Sequence, residues 1–388
     1  MVSTAQHLTD LATGLAARGH QVTVVTGRRA YDDTSRRFPK HELWRGIEIH
    51  RVGGTTLGKS AKWRRAVDFA SFIITCCWRL LFVKPPEVVV ALTSPPLISF
   101  IAAWYARLRG CRFVYWVMDL NPDEAIAAGW LKPGAPVTRL LDRMSRFSLR
   151  QAQKVVVLDR FMKERLERKG VALNHIIVIP PWSHDEAVRY DPEGREQFRA
   201  RLGLSEKFVV MYSGNHSPCH PLDTLMDAAR RLADDARFAF LFVGGGSEFS
   251  RVQQFARRHN LQNIACLPYQ PLETLGASLS SADAHVVVMG EGFVGTIHPC
   301  KVYNVLKVGA PVVAIGPRPS HLTELLDGLQ AEHLSAFVGH GEVERLIECL
   351  RRFPDPTSAT RRLAPPAALH SFSQSVLLPR LIAEIEAV

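Results

Sequence analysis

One lysine, Lys301, stands where a positive charge would be expected to meet an anion. It follows a glycine-containing loop that begins at Glu291 and includes Gly295 and His298, and Pro299 just before it suits the first turn of a helix. The amino end of a helix is electropositive, so a lysine there is favoured when an anion such as a diphosphate lies between them. The alternative is a lysine that extends its ammonium group into solvent.

Two glycine turns could hold the same kind of anion. Gly214 and Asn215 follow one predicted strand, and Gly244, Gly245 and Gly246 follow the next. Glycine lets the backbone approach a phosphate closely, and the free amides of a helix start attract negative charge. Neither turn has the Gly-x-Gly-x-x-Gly spacing of dinucleotide-binding domains or a Walker P-loop, so ordinary strand-to-helix turns are the alternative.

Asp119 and a histidine-containing segment complete the candidate chemistry. Asp119 ends a predicted strand, where open α/β sheets bind ligands, although a turn residue before Pro122 would give the same pattern. His216, Cys219 and His220 are metal-ligand types, but no fourth ligand follows at a regular spacing. We therefore expect no metal at this segment.

Short apolar runs alternate with longer helical patterns along the chain, which predicts a parallel α/β architecture. The predicted strands cover residues 21–26, 48–52, 88–92, 112–117, 154–158 and 176–179, and then 208–212, 239–243, 264–267, 284–288 and 311–315. Prolines at 180, 181 and 192 mark a linker between the two sets. We therefore predict two Rossmann-like domains, 1–185 and 186–370, and a final helical segment, 371–388, that packs back toward the first domain.

The sequence opens on an amphipathic helical pattern, 4–18, followed by the strand predicted at 21–26. A doubly wound domain ordinarily begins with a strand that lies in mid-sheet and precedes that helix. We therefore expect one strand and its loop to be missing ahead of Val2. A natural protein that lacks this strand is the alternative.

Composition favours a globular protein of a reducing compartment. The 388 residues are 47% hydrophobic, and seven cysteines are scattered along them without a Cys-x-x-Cys pair. Residues 1–10 lack the basic and apolar pattern of a secretory signal. These features together predict a cytoplasmic protein.

The positive charge is concentrated in the first half. Residues 1–185 carry 28 Lys and Arg against 15 Asp and Glu, a net charge of +13, whereas residues 186–388 carry 20 against 22. An apolar pattern over 67–83 follows a basic cluster of Lys59, Lys62, Arg64 and Arg65. This arrangement is typical of a helix that lies on an anionic membrane, and a buried helix with a solvated basic end is the alternative. The pattern is too short and too charged to span a bilayer.

In their order and spacing these segments resemble the family 4 retaining glycosyltransferases, which have the two-domain GT-B fold, especially bacterial members that build exopolysaccharides and O-antigens. The resemblance extends over essentially the whole chain, although each motif by itself is only moderately specific. The matching segments are Thr4–Ala12, Gly19–Val25, Thr93–Pro96, Asp119–Asp123, Gly214–Asn215, Gly244–Glu248 and Pro299–Asn304.

This resemblance implies a nucleotide-diphosphate sugar donor, bound mostly by the second domain. Lys301 would neutralise the leaving diphosphate, which is usually the largest contribution such a site can make. Asp119 would orient a sugar hydroxyl or assist the acceptor from across the cleft. The donor-binding positions of the family correspond here to Gly214, Asn215, His216, Gly244, Gly245, Gly246, Pro268, Tyr269, Gln270, Glu291, Gly295, His298, Lys301 and Asn304.

The sequence departs from the family at a pair of glutamates. Many members carry Glu-x7-Glu, whose second glutamate binds the ribose, and alignment on the glycine and proline that follow puts Thr296 and Asn304 at those places. Glu291 is therefore displaced from the pattern, which leaves its role in sugar binding in doubt.

A second departure follows the first glycine turn of the second domain. The family usually has an arginine and a lysine there, whereas this chain has Asn-His-Ser-Pro-Cys-His over residues 215–220. We therefore expect Lys301 to carry more of the diphosphate charge, with His216 or His298 assisting.

The leading hypothesis is a retaining transferase that moves a sugar from a UDP- or GDP-sugar to a saccharide or lipid-linked acceptor at the cytoplasmic face of a membrane, without a metal cofactor. A sugar-nucleotide 2-epimerase of the same architecture is one alternative, and it would be expected to use paired carboxylates and histidines. A catalytically inactive binding subunit is another. Nucleic-acid binding is disfavoured, because no recognised nucleic-acid motif accompanies the charge.

Overall fold

The structure is a computed structural model that describes residues 3–29, 37–55, 62–183, 188–329, 334–353 and 367–388. Lys59 of the basic cluster and the predicted domain boundary at residue 185 lie outside these ranges. For Lys62 and Arg65 only the backbone is described.

The described strands of the first half form two sheets. The strands are β1 (Val22–Gly27), β2 (His41–Trp44), β3 (Ile47–Val52), β4 (Val88–Ala91), β5 (Arg112–Trp116), β6 (Lys154–Val157) and β7 (Ile176–Val178). One sheet has the order β1-β3-β2, with β1 parallel and β2 antiparallel to β3. The other sheet is parallel, with the order β4-β5-β6-β7. β1 and β4 belong to separate sheets. The strand expected ahead of Val2 is not tested by the described residues and stays a prediction.

The helices of the first half connect these strands and cover their faces. The helices are α1 (Ser3–Ala17), α2 (Lys62–Leu81), α3 (Ile98–Arg109), α4 (Asp123–Ala127), α5 (Pro136–Gln151) and α6 (Arg160–Arg168). Among the elements of the first half, strand β2 and helix α4 were not predicted from the sequence.

The second half contains a six-stranded parallel sheet. Its strands are β8 (Phe208–Asn215), β9 (Phe238–Gly245), β10 (Ile264–Leu267), β11 (Ala284–Val288), β12 (Val312–Ile315) and β13 (Ser335–Val338). They lie in the order β10-β9-β8-β11-β12-β13. Its helices are α7 (Pro192–Arg201), α8 (Asp223–Arg231), α9 (Phe249–Arg258), α10 (Leu272–Ser280), α11 (Lys301–Lys307), α12 (His321–Gly328) and α13 (Val343–Arg352). The α/β architecture with two parallel-sheet halves confirms the predicted fold class.

Strands in the middle of a parallel sheet are apolar at nearly every position because helices cover both faces. All three valines of β6 and all five residues of β11 are buried. Most residues of β1 and β4, by contrast, are only half-buried. The best-covered strands are therefore interior strands of their sheets, and the half-buried ones lie at an edge.

The C-terminal helix α14 (Gln374–Glu386) packs on the first half, as the sequence predicts. Its Leu381 and Ile382 share a buried cluster with Leu11 of α1 and Trp116 of β5. A Cβ added at Gly14 of α1 would lie 2.7 Å from the end of the Ile382 side chain, so the two helices approach closely at this point.

Candidate active site

The two glycine turns lie side by side because β8 and β9 remain paired to their last residues. Gly214 is opposite Gly244, and both have positive φ angles, 142° and 137°. A Cβ added at Gly244 would lie 2.0 Å from the Gly214 carbonyl oxygen, and one at Gly246 2.2 Å from that of His216. Only glycine fits these positions, and the turns therefore form a narrow edge of exposed backbone. Binding of an anion at this edge stays a prediction.

Lys301 lies directly over this edge. Its Nζ donates a hydrogen bond to the Tyr212 hydroxyl at 2.6 Å and lies 4.0 Å from the centre of that ring. A Cβ added at Gly214 would be only 3.0 Å from the Lys301 Nζ. The Tyr212 hydroxyl in turn donates to the Asn215 carbonyl at 2.6 Å. The ammonium group is thus fixed above the glycine turn by an aromatic ring.

Burial lowers the pKa of the Lys301 ammonium to about 7. Among the residues that the structure describes, no carboxylate forms an ion pair with it. A buried cation without a carboxylate partner is costly, and an arriving anion would offset that cost and hold the lysine protonated. The arrangement is therefore suited to binding a diphosphate.

Two carboxyl groups of the first half face this region. Burial, and then the charge of Glu124, raise the pKa of Asp119 to about 7. Burial also raises the pKa of Glu124, which lies in the first turn of α4. The Glu124 Oε1 is 3.7 Å from the Sγ of Cys219, a residue of the second half. Asp119 therefore belongs to a carboxyl pair whose second member was not predicted from the sequence.

Backbone contacts bring the two halves together beside that pair. The amide of Leu120 donates to the Thr296 carbonyl at 2.7 Å. Gly295, with a φ of 70°, packs so tightly that an added Cβ would lie 2.6 Å from the Phe161 carbonyl oxygen. The geometry of Gly295 thus reflects contact between the halves, and its predicted donor contact stays a prediction.

His216 lies inside the glycine turn. The ring is fully buried, with its Nδ1 3.0 Å from the Gly214 carbonyl oxygen and with Tyr212 and Phe249 packed edge-on against it at 4.9 Å. Burial, and then the charge of Lys301, lower the pKa of His216 to about 4. The ring is therefore neutral at physiological pH in this structure and supports the turn, and its predicted help with the diphosphate charge stays a prediction.

His298 is also occupied by contacts within the protein. Its Nδ1 lies 2.9 Å from Asp159 Oδ2 and its Nε2 lies 3.0 Å from the Tyr303 hydroxyl. The His321 ring stacks on it at 4.0 Å. Asp159, His298 and His321 offer donor atoms within 4.8 Å of one another, but both ring nitrogens of His298 already have partners in Asp159 and Tyr303. We therefore assign this buried trio to the contact between the halves.

The segment Pro268–Gln270 lies against the second glycine turn. The Tyr269 ring covers Gly245, where an added Cβ would be 3.1 Å from its Cε2, and its side chain is otherwise largely exposed. Gln270 donates to the Pro268 carbonyl at 2.8 Å, which closes the loop. The predicted donor-binding residues Pro268–Gln270 therefore lie at the edge that carries Gly244–Gly246.

The remaining predicted residues have different surroundings. Glu291 is exposed at the start of a short 3-10 helix, Glu291–Phe293, and Thr296 is buried with its hydroxyl donating to the Phe293 carbonyl at 2.9 Å. Asn304 is half-buried on α11, one turn after Lys301. His220 belongs to the segment at which no metal was expected. Its Nδ1 lies 2.7 Å from the Val288 carbonyl oxygen, and the residue lines a cavity of about 260 Å³.

Known proteins resemble this chain in sequence and fold. Residues 4–182 match the family model described as a glycosyl transferase 4-like domain. WcaI of Escherichia coli (strain K12), which bears the name of a colanic acid biosynthesis glycosyl transferase, is 25% identical over 360 residues, covering 88% of this chain and 86% of WcaI.

Solved structures show the same fold at low sequence identity. HepE of Anabaena, crystallised in complex with UDP-glucose, superposes with a TM-score of 0.74 at 16% identity, over 99% of this chain and 95% of that one. WaaG, a glycosyltransferase involved in lipopolysaccharide biosynthesis, gives a TM-score of 0.66 at 16% identity, over 98% and 95%. Residues 4–182 therefore belong to the glycosyl transferase 4-like family, and the chain as a whole has the GT-B fold.

Proposed function

We propose that this protein is a retaining glycosyltransferase that moves a sugar from a UDP- or GDP-sugar to a saccharide or lipid-linked acceptor in bacterial surface polysaccharide synthesis. The observation that carries the proposal is Lys301, a buried ammonium group held over two glycine turns with no carboxylate partner among the described residues. The UDP-glucose bound by HepE and the names of the relatives support it.

The residues of the site suggest how transfer would proceed. The acceptor hydroxyl oxygen forms a bond to the anomeric carbon as the bond between that carbon and the diphosphate breaks. The leaving diphosphate keeps the electron pair, and one of its oxygens takes the hydroxyl proton. Lys301 and the amides of the glycine turns would stabilise this negative charge as it develops, which is the role a metal ion has in other sites. We therefore propose no metal cofactor. Asp119, as a carboxylate, would accept a hydrogen bond from a hydroxyl of the sugar or acceptor.

Lys301→Ala tests this proposal. Loss of one charge-stabilising donor typically lowers turnover by about 100-fold or more, whereas removal of a buried cation without a carboxylate partner should not destabilise the fold. Transfer should be measured with UDP- and GDP-sugars and an acceptor panel, and Tm by thermal unfolding. Lys307→Ala, on the same helix, is the matched control. Turnover like that of the unmodified protein in Lys301→Ala would remove the phosphate assignment.

The carboxyl pair of Asp119 and Glu124, with His220 nearby, also favours one alternative, a sugar-nucleotide 2-epimerase. Such an enzyme needs groups that take and return a proton, and paired carboxyls with a raised pKa could do so. Incubation of the protein with UDP-sugars in the absence of acceptor separates the two activities. An epimerised nucleotide sugar would support the isomerase, whereas donor binding without transfer or epimerisation would indicate an inactive binding subunit.

We also propose that the protein works at the cytoplasmic face of a membrane, through the outer face of α2. The residues on that face are apolar and exposed at helical spacing: Val67, Ala70, Ile74, Cys77, Trp78 and Leu81. The inner face packs on the fold through Phe72 and the buried Cys76 and makes polar contacts such as Thr75 to the Gly53 carbonyl and Arg79 to His50. An apolar stripe that stays exposed on a helix whose other face is already packed indicates an apolar neighbour.

Membrane contact would lie at the surface only. None of the helices in the described ranges is long and apolar enough to cross a bilayer. Phe82 and Lys84 follow the stripe and are exposed, as expected at a boundary between lipid chains and headgroups. The basic cluster at the start of α2 contributes the exposed Arg64 to the same surface.

A further inference from the structure

A separate groove of about 470 Å³ lies along α5, between α4 and the end of α6. It lies outside the glycine turns and is formed entirely by the first half of the chain. The charged residues that line it are Asp123, Arg139, Asp142, Arg143, Arg146 and Lys169. Four cations and two carboxylates give this groove, which we call the α5 groove, an excess of two positive charges.

Two of the cations neutralise the two carboxylates. Arg146 donates to Asp142 at 2.7 Å, and the Lys169 ammonium lies 2.9 Å from Asp142 and 2.7 Å from Asp123. The side chains of this set are half-buried or more, so the lower wall of the groove is a fixed, electrically balanced network. The excess charge therefore belongs to the remaining two arginines.

Arg139 and Arg143 are exposed and lie one helical turn apart on α5. In the part of the chain that the structure describes, neither forms an ion pair with a carboxylate. A guanidinium group presents its N–H donors in a planar fork that matches phosphate oxygens. Two such groups at this spacing would hold a ligand with two adjacent phosphates better than one with a single phosphate.

The surroundings of the groove indicate an amphiphilic ligand. Val137 and Leu140 of the same helix and Trp130 before it are 60%, 56% and 61% exposed, an apolar surface beside the arginines. Asp123 of the groove is followed in α4 by Glu124, which belongs to the carboxyl pair of the candidate active site. A molecule with its phosphates on the arginines could thus rest an apolar chain on this exposed apolar surface.

We propose that the α5 groove binds the diphosphate of a lipid-linked acceptor. The identification of this ligand as the acceptor rests on the proposed glycosyl transfer, whereas the binding of a lipid diphosphate does not. Anionic phospholipid headgroups offer related phosphate chemistry, so the test must distinguish the two sources.

The test measures binding of farnesyl diphosphate to the full-length protein by titration calorimetry. Arg139→Gln/Arg143→Gln should weaken binding about tenfold or more, because each charge-assisted contact to a phosphate is lost. Arg257→Gln/Arg258→Gln, which removes two exposed arginines from α9, is the matched control and should remain within about twofold. Unchanged affinity in the α5 double variant would overturn the proposal.

Two further measurements exclude other sites for the diphosphate. If Lys301→Met abolishes farnesyl diphosphate binding while the α5 double variant retains it, the ligand occupies the donor site and the proposal fails. It also fails if the α5 double variant loses binding only to phosphatidylglycerol vesicles. Binding of UDP-glucose and GDP-mannose, measured in parallel, reports on the proposed function. If neither nucleotide sugar binds while farnesyl diphosphate still does, the donor site assigned to Lys301 is wrong, but the lipid diphosphate site in the α5 groove is retained.

Discussion

At the scale of single residues, the charge of Glu124 should set the pH at which Asp119 becomes a carboxylate. Burial and that charge together raise the pKa of Asp119 to about 7, so activity that needs the carboxylate should fall as the pH drops through neutrality. In Glu124→Gln the neighbouring charge is gone, and the pKa of Asp119 should fall. The acidic limb of the pH–rate profile should therefore move to lower pH, while burial still keeps it above the ordinary range of a carboxyl group.

The control for this experiment is Glu164→Gln, which removes a carboxylate from the exposed surface of α6. Its pH profile should match that of the unmodified protein. An unshifted acidic limb in Glu124→Gln would show that Asp119 does not control the rate, or that the two carboxyls do not interact.

Residue types in sequence could identify the groups that carry charge, but not their partners. Lys301 and the glycine turns were predicted because a helix start and glycine spacing leave local signatures. Tyr212, which holds the ammonium group, looks like any core tyrosine in the sequence. Glu124 follows Asp119 by five residues, a signal that could have suggested the pair, but only the contact with Cys219 shows that it faces the second half.

At the scale of elements, α2 makes a prediction about membranes. Ile74→Ser/Trp78→Ser should lower binding to phosphatidylglycerol vesicles about tenfold or more, because each of these side chains offers a large apolar area for insertion. Folding stability should change little, since both side chains are already about two-thirds exposed. Vesicle sedimentation and thermal unfolding measure the two effects.

Leu43→Ser/Leu173→Ser is the matched control, because these leucines are 73% and 58% exposed on other parts of the first half. Vesicle binding should be unaffected in this control. If both double variants bind vesicles equally well, α2 is not the membrane surface; loss of a dimer in Ile74→Ser/Trp78→Ser, seen by light scattering, would assign the stripe to a second copy instead.

Apolar runs predicted the central elements well because burial on both faces leaves a continuous signal. The strand predicted at 284–288 is β11 residue for residue, and that predicted at 208–212 extends in the structure to Asn215 only because Gly214 can pair with Gly244. The edge strand β2 was missed because His41–Trp44 is only four residues long and places two polar residues before two apolar ones, without the alternation that marks a half-buried strand. For α2 the sequence left a membrane-surface helix and a buried helix open, because apolar residues occupy more than one of its faces; the structure leaves Ile74 and Trp78 exposed.

At the scale of the whole molecule, Asp159 joins the two halves in a way that only a carboxylate can. One oxygen accepts from the Met162 amide at 2.8 Å and caps α6, and the other lies 2.9 Å from His298 Nδ1 in the second half. Burial alone would raise the pKa of Asp159, but the hydrogen bond from His298 and the charges of His298 and His321 lower it. A lowered pKa means that this contribution to stability is present above about pH 4 and is lost below it, as the carboxyl is protonated.

Asp159→Asn should therefore weaken the contact between the halves. An amide has a single acceptor oxygen, so it must give up either the helix cap or His298, at a cost of about 1–3 kcal/mol. Urea unfolding at pH 7 should show the first half and the second half unfolding in more separate transitions than in the unmodified protein, and the difference between the two proteins should shrink as the pH falls below about 4. Asp227→Asn, which breaks an exposed ion pair with Arg230 on α8, should cost no more than about 1 kcal/mol and leave the transitions together. Equal unfolding of Asp159→Asn and the unmodified protein at pH 7 would show that other contacts hold the halves together, such as the packing of Ala127 against the cluster that contains Phe293.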